Sequence, residues 1–104
     1  FAEAAARGGG EAVCTVEACL LNARMARRGG DVDAEERALL EALEAARDDQ
    51  LGAAVRLALA KLYEHRRKDL GSALEHATGT AMAEGDDAAQ RRVARLERRL
   101  SKQR

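Results

Sequence analysis

The run Tyr63–Asp69, "YEHRRKD", gathers a phenol, two carboxylates, an imidazole and three cations in consecutive positions. Those groups are the ingredients of general acid–base chemistry, in which positioned side chains take a proton from one reacting atom and return one to another. Composition alone does not make such a site. A catalytic acid or base needs a partner within hydrogen-bond reach, and neither His65 nor His76 has a nucleophile or metal ligand at a matching spacing. The same seven residues suit the end of one helix and the start of another. Arg66, Arg67 and Lys68 put cations where unpaired helix carbonyls carry partial negative charge. Asp69 is placed to cap the following helix, and His65 is expected exposed beside the turn. No catalytic, cofactor-binding or metal-ligating residue is assigned.

The remaining chemistry-bearing residues are sparse. Gly8–Gly10 lacks the lysine and hydroxyl residue of a phosphate-binding loop and reads as a linker or helix stop. Cys14 and Cys19 lie about 140° apart round a helix, with no histidine close in sequence, so they read as reduced, largely buried small residues. Arg92, Arg95 and Arg99 follow i, i+3, i+7 spacing and share one helical face. Their planar forks suit phosphate or carboxylate, which makes them the candidate phosphate contacts. No aromatic residue is interleaved among them for base stacking, so protein or solvent is the expected neighbour and nucleic acid the second choice.

These residues must be positioned by helices. Ala, Leu, Arg and Glu dominate, proline is absent, and β-branched residues are few, a composition that favours helix throughout. Charges balance at 18 basic and 18 acidic residues, so no net field attracts a polyanion. The signs are nonetheless segregated. Asp31–Gln50 carries eight acids against two arginines, and Asp86–Arg104 carries seven bases against three acids. No apolar run reaches the length of a membrane span and no signal peptide is present, so the chain is expected to be cytoplasmic. It opens on Phe1 and is expected to belong to a longer protein.

Self-similarity organises the chain. Ala38, Ala42 and Ala45 recur 35 residues later as Ala73, Ala77 and Thr80, a row of small side chains that lets another backbone approach closely. Leu21, Asn22 and Met25 recur 38 residues later as Leu59, Ala60 and Tyr63, and a three-residue loop insertion in the first turn would reconcile the two offsets. The expected segments are a helix remnant with a glycine linker over 1–10, a helix pair over 11–47, a second pair over 50–84, and a capping helix over 86–102. In the first helix Val13, Val16, Leu20 and Met25 form the apolar stripe. Asp33, with Glu36, caps the second, burying Leu39 and Leu43, and Asp48 or Asp49 caps the third. The third buries Leu51, Val55, Leu59 and Leu62. Gly79 within "TGT" (Thr78–Thr80) weakens the fourth helix, which is either tightly packed there or kinked. Asp86 caps the last, whose stripe is Ala89, Val93, Leu96 and Leu100.

The pattern resembles the tetratricopeptide repeat, a helix–turn–helix unit of about 34 residues. The resemblance rests on Leu59, Ala60 and Tyr63 in one helix and Ala73, Ala77 and Thr80 in the next. It departs from that family at Arg56 and Ala18, where a bulky residue is usual, at Ala77, which replaces an aromatic, and in lacking a closing proline. It implies an all-α fold of antiparallel helix–turn–helix repeats in a right-handed superhelix, closed by a C-terminal capping helix. It further implies packing roles for Tyr63, Ala38, Ala42, Ala73 and Ala77, and a concave binding surface with Asn22, Arg24, Arg56 and Lys61 as polar contacts. Stacked repeats usually need about three units, so two and a cap are expected to lean on a neighbouring domain or a second copy. "LAKLYEHRRKDLGSALEHA" is also similar to the C-terminal helical tail of bacterial YprB-type, ribonuclease-H-like exonuclease proteins. That likeness implies an accessory domain whose catalytic carboxylates lie outside this chain. The leading expectation is a non-catalytic module for protein–protein or interdomain contacts, and the alternative is a nuclease accessory domain that helps bind nucleic acid through its basic helix.

Overall fold

A computed structural model describes residues 9–46 and 49–103, with side chains described from residue 16 onward except at 49. It is all-helical, with no strand among the described residues. The expectations for Phe1–Arg7, Arg47 and Asp48, and for the side chains of Val13 and Cys14, fall outside what is described. The chain divides into two compact units, Phe1–Asp48 and Asp49–Arg104.

The first unit is a helical hairpin of α1 (Gly9–Arg28) and α2 (Val32–Ala45). Gly9 and Gly10, expected in the linker, are helical. The turn that follows α1 closes in two hydrogen bonds, Gly30 N–H to the Arg27 carbonyl at 3.1 Å and Asp31 N–H to the Ala26 carbonyl at 2.9 Å. Gly30 takes φ 76, the left-handed conformation this helix stop requires. Asp31 then caps α2, its Oδ1 accepting from Ala34 N–H at 3.0 Å. The cap is therefore Asp31 and not Asp33. The turn ends two residues sooner than expected, which leaves Asp33 inside the first turn, where an acid meets the positive helix end.

Val16, Cys19 and Ala23 of α1 and Ala38, Leu39 and Ala42 of α2 are buried. Met25, expected in the same stripe, is 62 % exposed. Nine residues at about 100° each place it some 180° from Val16, on the opposite side of the helix.

In the second unit, α3 (Asp49–Leu62) runs on into a π-helical turn, Tyr63–Arg67. It ends at Lys68, a non-glycine residue at φ 58, with Asp69 N–H bonded to the Tyr63 carbonyl at 2.8 Å. Asp69 caps α4 (Leu70–Ala77): its Oδ1 accepts from Ser72 N–H at 3.2 Å and its Oδ2 from the Ser72 hydroxyl at 2.8 Å. The two turns thus share one design, a positive-φ residue followed by a capping aspartate, at Gly30–Asp31 and Lys68–Asp69, 38 positions apart. No three-residue insertion separates them. The alanine row begins one helical turn nearer its cap in the second pair, Ala73 after Asp69 against Ala38 after Asp31, and that accounts for the shorter offset.

The fourth helix breaks at Thr78–Thr80 and resumes as α5 (Ala81–Glu84). Of the two expectations for Gly79 the interruption of the helix is the one observed, and the Arg56 side chain lies over it, 2.6 Å from where a Cβ would stand. Gly85, at φ 94, turns the chain into α6 (Asp86–Gln103), which packs on α4 and α5, as α3 does. Val55, Leu59, Ala60, Ala73, Thr80 and Leu96 have no exposed surface, and Tyr63 is buried with its ring stacked on His76, centroids 5.6 Å apart.

Candidate functional site

Position in the π-helical turn determines what Glu64 does. Leu62, Tyr63 and Glu64 are consecutive and all buried, and the Glu64 carboxylate enters the interior with a side chain only 1 % exposed. A charge so placed requires partners. The main ones come from α6, further along the chain. Arg95 donates through Nε to Oε2 at 3.0 Å and through Nη2 to Oε1 at 2.8 Å, a bidentate fork. Arg99 Nη1 donates to Oε2 at 3.0 Å, and Arg92 Nη1 stands 3.6 Å from Oε1, as does Nε2 of exposed His65.

A second carboxylate completes the cluster. Glu84, on α5, accepts from Arg92 Nε at 3.1 Å and Nη2 at 3.0 Å. The buried Thr80 hydroxyl shares its single proton between Glu84 Oε2 and the Ala77 carbonyl. No buried side-chain nitrogen or oxygen among the described residues lacks a partner.

Burial by itself would raise the Glu64 and Glu84 pKa values. The hydrogen bonds and charges of Arg95 on Glu64 and of Arg92 on Glu84 outweigh it, and both carboxyls titrate below the ordinary glutamate value. The hydrogen bond to Glu64 holds Arg95 still more firmly protonated. Lys61 also lowers the Glu84 pKa through its charge. Burial pushes His76 down and Cys19 up, the latter helped by Glu41, whose Oε2 lies 3.7 Å from Sγ.

The structure brings Arg92, Arg95 and Arg99 together and gives each a carboxylate partner, with Arg95 and Arg99 each 42 % exposed. Asn22 and Arg24 are exposed on α1 but, two residues apart, occupy different faces. Arg56 and Lys61 are exposed on α3, five residues apart and likewise on different faces, with Arg56 covering Gly79. Ala38, Ala42, Ala73 and Ala77 are buried. Leu21, Asn22 and Met25 are exposed, whereas Leu59, Ala60 and Tyr63, aligned with them in sequence, are buried.

Glu64 and Glu84 are the members of this cluster that sequence reasoning overlooks. The signal for them is indirect: three arginines flank the Val93–Leu96–Leu100 stripe so closely that packing the stripe brings their guanidiniums against neighbouring helices, where acids can meet them. An open groove of about 360 Å³ runs beside α6, with Ala77, Ala81, Ala89 and Val93 on its walls. Among the described residues no group of three or more His, Cys, Asp or Glu side chains is arranged to hold a metal ion, and no helix is long and apolar enough to cross a membrane. No protein-family model, curated protein or solved structure matches the chain.

Proposed function

We propose that the chain is a non-catalytic helical module that mediates protein–protein or interdomain contacts. The observation that carries this reading is the outer face of α1. Leu21 and Met25, one turn apart, are 56 % and 62 % exposed beside Asn22, while the polar groups buried in the described part of the chain are engaged with one another. Large apolar side chains adjacent on an exposed helical face favour a protein neighbour over solvent. The recurrence of one helix–turn–helix design in the two units is compatible with the same class of role, with Asn22, Arg24, Arg56 and Lys61 as candidate contacts. The nuclease-accessory reading draws support from Arg91, Arg98 and Lys102, exposed on α6. It is weakened by the partial neutralisation of Arg92, Arg95 and Arg99 by Glu64 and Glu84, which reduces the net positive charge a polyanion would meet along α6.

A photo-cross-linking residue at position 25 tests the proposal in cells that express the protein. It should yield adducts to protein, and Leu21→Glu with Met25→Glu should weaken that association by about tenfold or more while leaving the helical circular dichroism signal unchanged. Undiminished association of the double variant would remove the α1 face from the interaction.

A further inference from the structure

We infer that the outward edges of Arg95 and Arg99 form a site for a single oxyanion, a phosphate or carboxylate group carried by a protein partner. The cluster has charge left over: three arginines face two carboxylates, with Lys61 close enough to act on Glu84 as a further cation. Hydrogen-bond capacity is unbalanced in the same sense. Each guanidinium offers about five N–H donors and each carboxylate about four acceptor positions. Glu64 is fully withdrawn from solvent, so it engages only the inner edges of the two forks, while 42 % of each arginine side chain remains exposed.

Pre-organisation distinguishes this pair from ordinary surface arginines. Arg95 and Arg99 bond the two oxygens of one buried carboxylate, which fixes two long side chains next to each other before any ligand arrives. The rotamer entropy that a surface arginine surrenders on binding an anion is already largely lost here. Two guanidiniums spaced by one helical turn, each with N–H donors left over, suit the oxygens of one phosphate or carboxylate.

The site fits one anion better than a strand of them. Glu97, Asp86 and Asp87 share α6 with the arginines, the net charge is zero, and no aromatic side chain on that helix can stack on a base. A protein partner is taken from the interaction-module reading. Anion binding at Arg95 and Arg99 is separable from it, because loss of cross-linking at position 25 leaves a phosphate titration unaffected.

The deciding experiment is a titration of the full chain with inorganic phosphate against chloride at constant ionic strength, following arginine Nε–H signals by ¹⁵N NMR. Arg95 and Arg99 should shift saturably and together, with Arg91 and Arg98 unmoved. Arg99→Gln should weaken binding by about fivefold or more, and Arg98→Gln should leave it unchanged. The wild-type titration decides the matter if Arg99→Gln fails to fold. A phosphoserine peptide, its serine form and its glutamate form then identify the source of the oxyanion. Preference for the phosphopeptide assigns phosphate, and equal binding of the glutamate peptide assigns carboxylate. Absence of a saturable shift, or equal shifts along all the arginines of α6, would overturn the site. So would single-stranded RNA that binds more tightly than either peptide and moves Arg91 and Arg98 as well.

Discussion

Glu64 is the residue on which most of the second unit's electrostatics converge. Removing its charge leaves Arg95 and Arg99 without an anionic partner and Arg92 with only Glu84. Breaking a fully buried pair costs about 3–5 kcal/mol, and the 42 % exposure of two of the arginines discounts that figure through solvent screening. Glu64→Gln should therefore cost on the order of 2 kcal/mol in urea unfolding. The pH dependence has a definite sign. A carboxyl whose pKa is lower in the fold contributes stability that is complete above its unfolded value, about 4.3, and is lost as pH falls through the lower folded value. Glu84 and Asp69 act in the same direction, Asp69 through the backbone and hydroxyl of Ser72. His76, lowered by burial, adds to the acid sensitivity, because protonating it favours the unfolded chain. The urea midpoint should fall steeply below about pH 4.3, and Glu64→Gln should flatten that limb. An unchanged slope in the variant would mean that Glu64 contributes no pH-linked stability.

At the level of elements, helix ends carry the clearest predictions. Lys68 occupies a left-handed conformation at the position where helices most often place glycine. Such a conformation costs a side-chain-bearing residue about 1–2 kcal/mol, offset in part by glycine's greater freedom in the unfolded chain. Lys68→Gly should raise stability by roughly 0.5–1 kcal/mol, visible as a higher melting temperature. Gly85→Ala, at φ 94, should lower it by about 1 kcal/mol or more. Tyr63→Ala removes a buried ring and its stack on His76 and should cost about 3 kcal/mol, with a marked fall in melting temperature.

How much of this was legible depends on the length of pattern each feature needs. Asp69 could be recognised as a cap because its signal is local, a polar residue after a basic helix end and before an apolar run. Asp31 was hidden by Asp33, an equally good capping residue two positions later; only the hydrogen bonds of the preceding turn distinguish them. The stripe Val55, Leu59 and Leu62 follows α-helical spacing and is visible at once. Glu64 lies beyond the reach of that period, since a π-helical turn brings three consecutive residues inside and no residue type in "YEHRRKD" marks where the helix widens.

The two units differ in the means each has to stand alone. The second encloses Val55, Leu59, Leu62, Tyr63, Leu70 and Leu96 among helices that all belong to it, and adds the Glu64–arginine cluster. In the first, Val16 and Leu39 are the large apolar side chains among the described buried residues, the rest being Cys19, Ala23, Ala38, Ala42 and Glu35. Small residues let α1 and α2 approach closely but remove little apolar surface from water, and hydrophobic stabilisation scales with that surface. An isolated pair of helices of this length is then held mainly by propensity and one well-formed turn, which is marginal. A fragment of residues 49–104 should accordingly unfold in a single cooperative thermal transition, whereas one of residues 1–48 should lose its helical signal gradually. The face that exposes Leu21 and Met25 belongs to the unit with fewer large apolar side chains among its described buried residues, so an added surface there would extend that unit's apolar burial. Cooperative melting of the 1–48 fragment by itself would show that the hairpin needs no neighbour and would leave its exposed apolar pair without an energetic reason.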